Sequence, residues 1–314
     1  MLDKIAESLI PSFLKKVAES PSEELGSRIA DVINLIFTPI LMLKIKQEHH
    51  LKNFAKELDS DLSEIPTERL CEPPLHLLGP ALEASKYYYE NEDLRRMFSQ
   101  LIASSCDFKK LPFVQPSFVE VLKQLSMVDA QILTLFRKED TITVSTSLTI
   151  NDQEPIPSDP QPISKSYVEV IYPIVEMHLK DNQGYTLLQN DVFVETDIED
   201  MATVASAIGN LTRLGLITVD YTKKLSEDQY NKFYNHPFYK DTQKKYIVGQ
   251  DDPIPNGVSL SFVNIRGHIC MGNSFEQIEL RKGLTRLTQY GYDFSKVCIV
   301  SDDIKPIVHA SSVN

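Results

Sequence analysis

The sequence predicts a mainly helical α+β fold, and three observations support this prediction. Apolar residues recur every three or four positions through the first third of the chain, which is typical of amphipathic helices. β-Branched and alternating runs follow later in the chain, at residues 142–150 and 216–221, and these predict strands. The 314 residues suffice for two domains of about 100–200 residues each.

Composition and charge favour a soluble, cytoplasmic protein. The chain is 42% hydrophobic and 24% charged, which is ordinary for a globular protein. Its formal net charge of -12 argues against coating a long phosphate backbone, although a local basic face is compatible with it. The four cysteines form no CxxC pair, which favours reduced thiols over a disulfide framework. The opening residues do not form a secretory signal, and the longest apolar run is shorter than the roughly 20 residues of a membrane span.

The first helices are predicted from one apolar stripe and one start signal. The stripe consists of Ile5, Leu9, Phe13 and Val17. Residues 20–23 read SPSE, a cap followed by a first-turn proline and a glutamate, and they predict the start of a second helix. Pro39 is expected to kink or interrupt that helix. A polar helix is predicted over residues 47–58.

A helical hairpin is predicted next, and it completes an N-terminal helical domain over residues 1–112. Gly79 and Pro80 are expected to open the helix ALEASKYYYENE, and Asn91 is expected to cap the following one, DLRRMFSQLIASS. The short link between the two helices favours an antiparallel pair.

Two later helix starts are also predicted from capping residues. Ser126 and Asp129 are expected to form a capping box, and Thr288 is expected to cap the closing helix QYGYDFSKVC.

The remainder, residues 113–302, is predicted to be a winged-helix-like α+β domain. Residues 202–214 are helical in pattern, Gly215 is suited to end that helix, and a short strand follows, which is the order of elements in a winged helix. Residues 151–166 contain four prolines and are interpreted as a Pro-rich loop. Residues 303–314 are interpreted as a flexible tail.

Several stretches together resemble the abortive-infection alpha (Abi-alpha) family of bacterial phage-defence proteins. The stretches are Glu72-Pro73-Pro74, then GPALEASKYYYENEDLRRMFSQLIASS (79–105), PSFVEVLKQLSMVDAQIL (116–133), NLTRLGLI (210–217) and LTQYGYDFSKVC (287–298). The resemblance implies a role in limiting phage infection, often through growth arrest or death of the infected cell. It implies no particular chemistry and no catalytic residues.

The helix before Gly215 is the one that a winged-helix protein would place against DNA. Between residues 200 and 214 it contains one base, Arg213, whereas DNA reading requires several side chains directed at bases and phosphates. This composition favours packing or protein contact. The alternative is nucleic-acid binding, with Arg213 joined by Lys223, Lys224, Lys244 and Lys245 in a segment where aromatic residues alternate with lysines.

A protein-binding surface is predicted at the three consecutive tyrosines. If Tyr87, Tyr88 and Tyr89 lie on a helix, they point in different directions and at least one leaves the core, where it favours contact with a partner. Arg95 and Arg96 in the next helix are assigned to the same surface. The alternative is that the tyrosines pack along a neighbouring helix. A protein partner or a second copy of the chain is therefore expected.

No catalytic, cofactor-binding or metal-binding residue is assigned. His268 and Cys270 share one face of a predicted strand, and Cys298 is a third candidate ligand, but their spacing is not that of a known zinc motif. The chain contains no P-loop, GxGxxG or GxSxG sequence. The apolar run Ile33–Ile45 is interpreted as a buried or self-associating helix, with attachment to a membrane surface as the alternative. The prediction is an antiphage defence protein that acts through protein contact, with nucleic-acid regulation and membrane action as alternatives.

Overall fold

The computed structural model describes residues 9–42, 48–136, 170–181, 184–247, 262–265, 268–271 and 275–299. Within these ranges the chain forms a mixed α+β fold in which helices predominate and one small antiparallel sheet is present. This confirms the predicted mainly helical α+β class, whereas the winged-helix-like arrangement of the second domain stays a prediction. The predicted strand at 142–150, the Pro-rich loop at 151–166 and the tail at 303–314 lie outside the described residues.

Helices make up the whole of the N-terminal part. They are α1 (Pro11–Ala18), α2 (Glu23–Met42), α3 (Glu48–Glu64), α4 (Leu75–Ser85), α5 (Glu92–Ser105), α6 (Ser117–Leu122) and α7 (Met127–Leu135). Later in the chain, helices alternate with strands. The helices are α8 (Met201–Arg213), α9 (Asn231–Asn235), α10 (Pro237–Tyr246) and α11 (Gln289–Cys298).

The sheet is assembled from strands that are distant in sequence. The strands are β1 (Ile171–Asp181), β2 (Gly184–Val192), β3 (Ile217–Asp220) and β6 (Gln277–Leu287), and the separate pair β4 (Phe262–Ile265) and β5 (His268–Met271). The four-stranded sheet has the order β2-β1-β6-β3, and its neighbouring strands are antiparallel. β6 therefore lies between β1 and β3 although it follows both in sequence.

Several predicted helix starts are confirmed by their capping hydrogen bonds. Asn91 Oδ1 accepts a hydrogen bond from the Leu94 amide at the start of α5. Ser126 and Asp129 form the predicted capping box at the start of α7. Thr288 Oγ1 accepts from the Gly291 amide at the start of α11. Such caps satisfy the amide groups that have no partner within the helix, and they depend only on residues close in sequence.

Two predicted boundaries differ from the structure. α2 runs through Pro39 to Met42, so the predicted interruption there is wrong, whereas the alternative of a kink stays a prediction. α4 begins at Leu75 and ends at Ser85, so the tyrosines that follow lie in a turn and not on a helix. The early start is explained by burial, because residues 77 and 78, both leucines, enter the core before Pro80 is reached.

A side chain of α1 and a side chain of α3 each bind backbone groups at one end of the other helix. Ile10, the residue before α1, provides no side-chain cap, and the Asp59 carboxylate accepts hydrogen bonds from the Ser12 and Phe13 amides at 3.1 and 2.9 Å instead. In return, Lys16 Nζ donates to the Ser63 carbonyl and, at 2.7 Å, to the Ile65 carbonyl beyond the end of α3. Each charge lies at the helix end whose dipole it complements.

We expect Asp59→Ala to lower the free energy of unfolding by about 1–2 kcal/mol, because two amides at the start of α1 lose their acceptor. Asp59→Asn retains one acceptor oxygen and is expected to cost less than half as much. Urea denaturation followed by circular dichroism measures both changes. Equal losses for the two variants would show that charge, and not capping, is what Asp59 contributes.

A continuous hydrophobic cluster includes residues from both the helical part and the sheet, from Leu9 to Ile299. α11 packs against α5, and Ser104 Oγ donates to the Val297 carbonyl at 2.9 Å.

The division into two domains between residues 112 and 113 stays a prediction. None of the described helices is both long and apolar enough to cross a bilayer.

Candidate functional site

α8 turns its apolar side to the core and presents a narrow surface of small residues. The buried side chains are Met201, Val204, Ala205, Ala207, Ile208 and Leu211. The exposed positions are Ala202, Thr203, Ser206, Gly209, Thr212 and Arg213. Asp200 caps the helix by accepting from the Ala202 amide at 3.1 Å. Gly215 has a φ of 73°, a left-handed conformation that glycine adopts without strain and that ends the helix as predicted.

The one base of this helix is held by its neighbours. Arg213 Nη1 and Nη2 donate to Gln124 Oε1 at 3.2 and 3.1 Å, and Nη2 also donates to Asn210 Oδ1 at 2.7 Å. Asn210 Nδ2 in turn donates to Asp129 Oδ2 at 2.8 Å. These bonds join α8 to the loop between α6 and α7. The guanidinium therefore supports the packing of three elements.

The lysine-rich segment after β3 is largely paired with acidic residues at its beginning. Lys223 lies 3.8 Å from Asp220, and Lys224 lies 3.0 Å from Glu227, a carboxylate that also binds Lys282. Hydrogen bonds from Lys282 and Lys224 hold the pKa of Glu227 below its usual value. These pairs are on the surface, where each contributes little stability. Their positive charge is offset locally.

The far end of the same segment is more open. Lys244 and Lys245 are exposed in the last turn of α10, and Lys245 Nζ lies 5.1 Å from the centre of the Tyr246 ring. Two of the interleaved aromatic residues, Tyr230 and Phe233, are buried at 0% and 1% exposure and pack in the core. They are therefore not available to stack on nucleotide bases.

The three tyrosines lie in the turn between α4 and α5, and each has a different environment. Tyr89 is buried, and its ring centre lies 4.8 Å from that of Phe54. Tyr88 packs on Phe98, with ring centres 5.1 Å apart, and its hydroxyl donates to the Lys123 carbonyl at 2.9 Å. Tyr87 is 79% exposed. The turn is thus anchored by two tyrosines and presents the first to solvent.

The two arginines assigned to this surface also differ. Arg95 is buried, with Nε and Nη2 donating to the Glu57 carboxylate at 2.9 and 2.7 Å and Nη1 donating to the Tyr89 carbonyl at 3.0 Å. Arg96 is exposed and lies 3.1 Å from Glu92 one turn earlier. Arg95 therefore holds the tyrosine turn in place from behind, whereas Arg96 lies on the outer surface of α5.

Sequence reasoning missed the polar seam between α3 and α5. Glu57 and Asp61 are one turn apart on α3, and they face Arg95 and Ser99, which are one turn apart on α5. Ser99 Oγ donates to Asp61 Oδ2 at 2.5 Å. The matching spacing of four residues was the available signal. It was hidden because the two sets lie 38 residues apart in sequence, and neither segment alone indicates that the two helices pack against each other.

The remaining candidate ligands are spread over different elements. Cys298 is buried in α11, whereas His268 and Cys270 belong to β5. Of the acidic residues before α8, Asp200 caps that helix and Glu195 pairs with Lys232. Over the described part of the chain, no three His, Cys, Asp or Glu side chains are grouped to hold a metal ion.

Comparison with protein families is informative for most of the chain. The model of the abortive infection alpha family matches residues 46–298, a range that includes every motif block listed above from residue 72 onward. No match was found among curated proteins or among solved structures. Because the family model covers well over half of the sequence, the chain belongs to the abortive infection alpha family.

Proposed function

We propose that this protein defends a bacterial cell against phage by an abortive-infection mechanism and that it acts through contact with another protein. Family membership supports the defence role. The tyrosine turn supports protein contact, because Tyr87 presents a large ring to solvent while its two neighbours fix the backbone beneath it. A rigid, exposed tyrosine provides contact area at a small entropic cost.

A winged-helix-like scaffold, which stays a prediction, would fit this proposal. It is supported by the order of α8, the left-handed Gly215 and β3, a strand that pairs antiparallel with β6. The face that such a helix would turn to DNA consists of alanine, serine, threonine and glycine, with its arginine bound to Gln124. A surface of this kind suits close packing against a protein better than phosphate contact.

We expect Tyr87→Ala to reduce protection against phage by at least about tenfold, since truncating a central aromatic contact typically costs 2 kcal/mol or more of binding energy. The measurement is plaque counts on cells that carry the wild-type gene, the variant or no gene, across a broad phage panel. Tyr185→Ala is the matched control, because Tyr185 is another exposed tyrosine, at 57%, on β2. It is expected to protect like the wild type.

Equal plaque counts with and without the wild-type gene would remove support for the defence role. Full protection by a stably folded Tyr87→Ala variant would instead leave the defence role intact and reject the tyrosine turn as the contact surface. The two parts of the proposal are thus tested separately.

Nucleic-acid association is the second candidate, and the exposed Lys244 and Lys245 favour it. Binding through these lysines would weaken steeply as salt rises, because phosphate contacts release counterions. A gel-shift series over salt concentration, with a Lys244→Gln, Lys245→Gln double variant, distinguishes nucleic-acid binding from protein contact.

Attachment to a membrane through Ile33–Ile45 stays a prediction, since the side chains from residue 36 onward in that run lie outside the described part of the chain.

A further inference from the structure

A polar cavity of about 170 Å³ lies at the C-terminal end of the seam between α3 and α5. Its walls come from the last turn of α3, the short 3₁₀ turn Thr67–Arg69, α5 and the loop after α5. The charged and polar residues that line it are Asp61, Glu64, Arg69, Gln100, Asp107 and Lys110. Neither the tyrosine turn nor the lysine-rich segment contributes to it.

Of the two basic residues that line the cavity, Arg69 and Lys110, the arginine is already neutralised. Arg69 Nε donates to Asp107 Oδ1 at 3.1 Å, and its Nη2 donates to Asp107 Oδ2, so the two side chains form a bidentate pair. Asp107 is 2% exposed and also accepts from the Lys109 amide. Such a geometry is rigid and leaves little of the arginine charge for other partners.

Asp61 is different, because its partners are neutral. Its carboxylate accepts from Ser99 Oγ at 2.5 Å and from the Gln100 side chain, and no basic residue of the described part of the chain forms an ion pair with it. Burial, with smaller contributions from the nearby Glu64 and Glu57 carboxylates, raises its pKa to about 6. The guanidinium groups of Arg95 in the seam and of Arg69 at the cavity wall are bound to Glu57 and Asp107.

A partly buried carboxylate without an ion-pair partner is stabilised by a positive charge brought next to it. Glu64 at the cavity edge adds a second negative charge, and Gln100 adds a polar group at 7% exposure. The size of the cavity limits what enters. An apolar cavity of about 150 Å³ holds benzene, so a volume of this order suits a head group of about six to eight non-hydrogen atoms, and the rest of a longer ligand would lie outside.

We infer that this cavity binds a small organic cation with a guanidinium or primary ammonium group, and that Asp61 is the counter-ion of that group. Gln100 and Glu64 supply further acceptors for its N–H donors. Nothing in the proposed defence mechanism requires this site, so the inference stands apart from it.

The test is titration calorimetry of the full chain at pH 7.5 with methylguanidinium, agmatine and the neutral isostere methylurea. The two cations are expected to bind. Methylurea is not expected to bind, because it has the shape of methylguanidinium without its charge. Asp61→Asn is expected to weaken cation binding at least tenfold. Asp61→Asn should also raise the melting temperature of the unliganded protein, because it removes a partly buried negative charge. A cooperative melting transition of this variant shows that the variant is folded.

The pH dependence has a defined sign. At pH 7.5 Asp61, with its pKa of about 6, is ionised and binds the cation. At pH 5.0 about nine-tenths of it is protonated, so affinity should fall about tenfold. The charged groups around it are Glu57 and Glu64 on α3, Arg95 on α5, and Arg69, Asp107 and Lys110 at the cavity wall.

A surface control and a ligand control complete the experiment. Asp228→Asn removes an exposed carboxylate on another part of the chain and is expected to leave binding unchanged. Acetyl-argininamide carries the same head group on a peptide backbone. Tighter binding of agmatine would identify a free metabolite as the ligand, and tighter binding of acetyl-argininamide would identify an arginine of a partner protein.

Three results would each overturn the inference. They are absence of binding at millimolar cation, equal binding of methylurea, and unchanged binding by Asp61→Asn.

Discussion

Gly291→Ala is expected to remove most or all of the stability of this protein. A Cβ atom at Gly291 would lie 1.8 Å from the Leu216 carbonyl oxygen and 2.7 Å from its carbon, well inside contact distance. Both atoms belong to the backbone at the start of β3, so no side chain is able to rotate away. Overpacking against movable side chains costs about 1–3 kcal/mol, and we expect about 4 kcal/mol or more here. Domains are typically stable by only about 5–15 kcal/mol.

The matched control is Gly209→Ala. Gly209 lies on the exposed face of α8, and a Cβ there would meet no atom within 4 Å. Alanine is the better helix former, so this variant should gain about 0.5–1 kcal/mol. Urea denaturation of both variants gives the comparison. Wild-type stability of Gly291→Ala would contradict the close packing of α11 on the Leu216 carbonyl group.

This contact joins two of the sequence blocks that carry the family resemblance. Leu216 belongs to NLTRLGLI and Gly291 to LTQYGYDFSKVC. Besides the close approach, the Thr288 amide donates to the Leu216 carbonyl at 3.0 Å and Thr288 Oγ1 donates to the Gly215 carbonyl. The left-handed glycine after α8 and the glycine in α11 thus serve a single junction, in which one ends a helix and the other permits another helix to pack on the turn.

The parts of the fold that sequence predicts well are those determined locally. The caps at Asn91, Ser126 and Thr288 and the terminator Gly215 each need only a few neighbouring residues, and all four are confirmed. Gly291 shows the opposite case. A glycine in the first turn of a helix has no local justification, and its role emerges only when residue 216 is seen beside it.

The candidate surface was predictable only in part for the same reason. The prediction that at least one tyrosine leaves the core holds for Tyr87, but the predicted helix through it is wrong. What places Tyr89 inside and Tyr87 outside is Phe54, more than thirty residues earlier, together with Arg95. Long-range contacts of this kind leave no periodic signal in the segment that they shape.

Arg95→Ala carries the second large expected effect. The Arg95 side chain is 8% exposed and Glu57 is 22% exposed, so removing the arginine leaves a partly buried carboxylate without its partner. Breaking such a pair costs about 3–5 kcal/mol. Arg96→Ala is the control in the same helix turn, because its ion pair with Glu92 is exposed and is worth less than about 1 kcal/mol. Thermal and urea denaturation measure both.

The same substitution tests how Arg95 relates to the proposed contact surface. Its Nη1 holds the Tyr89 carbonyl, so its loss should loosen the turn that presents Tyr87 and reduce phage protection even where the variant is folded. Replacing the pair with Arg95→Met and Glu57→Leu removes the unpaired charge and should recover much of the stability, since apolar replacements of buried ion pairs are often neutral or favourable. It does not restore the bond to the Tyr89 carbonyl. If the double variant recovers stability but not phage protection, Arg95 positions the tyrosine turn. If it recovers both, Arg95 only stabilises the fold.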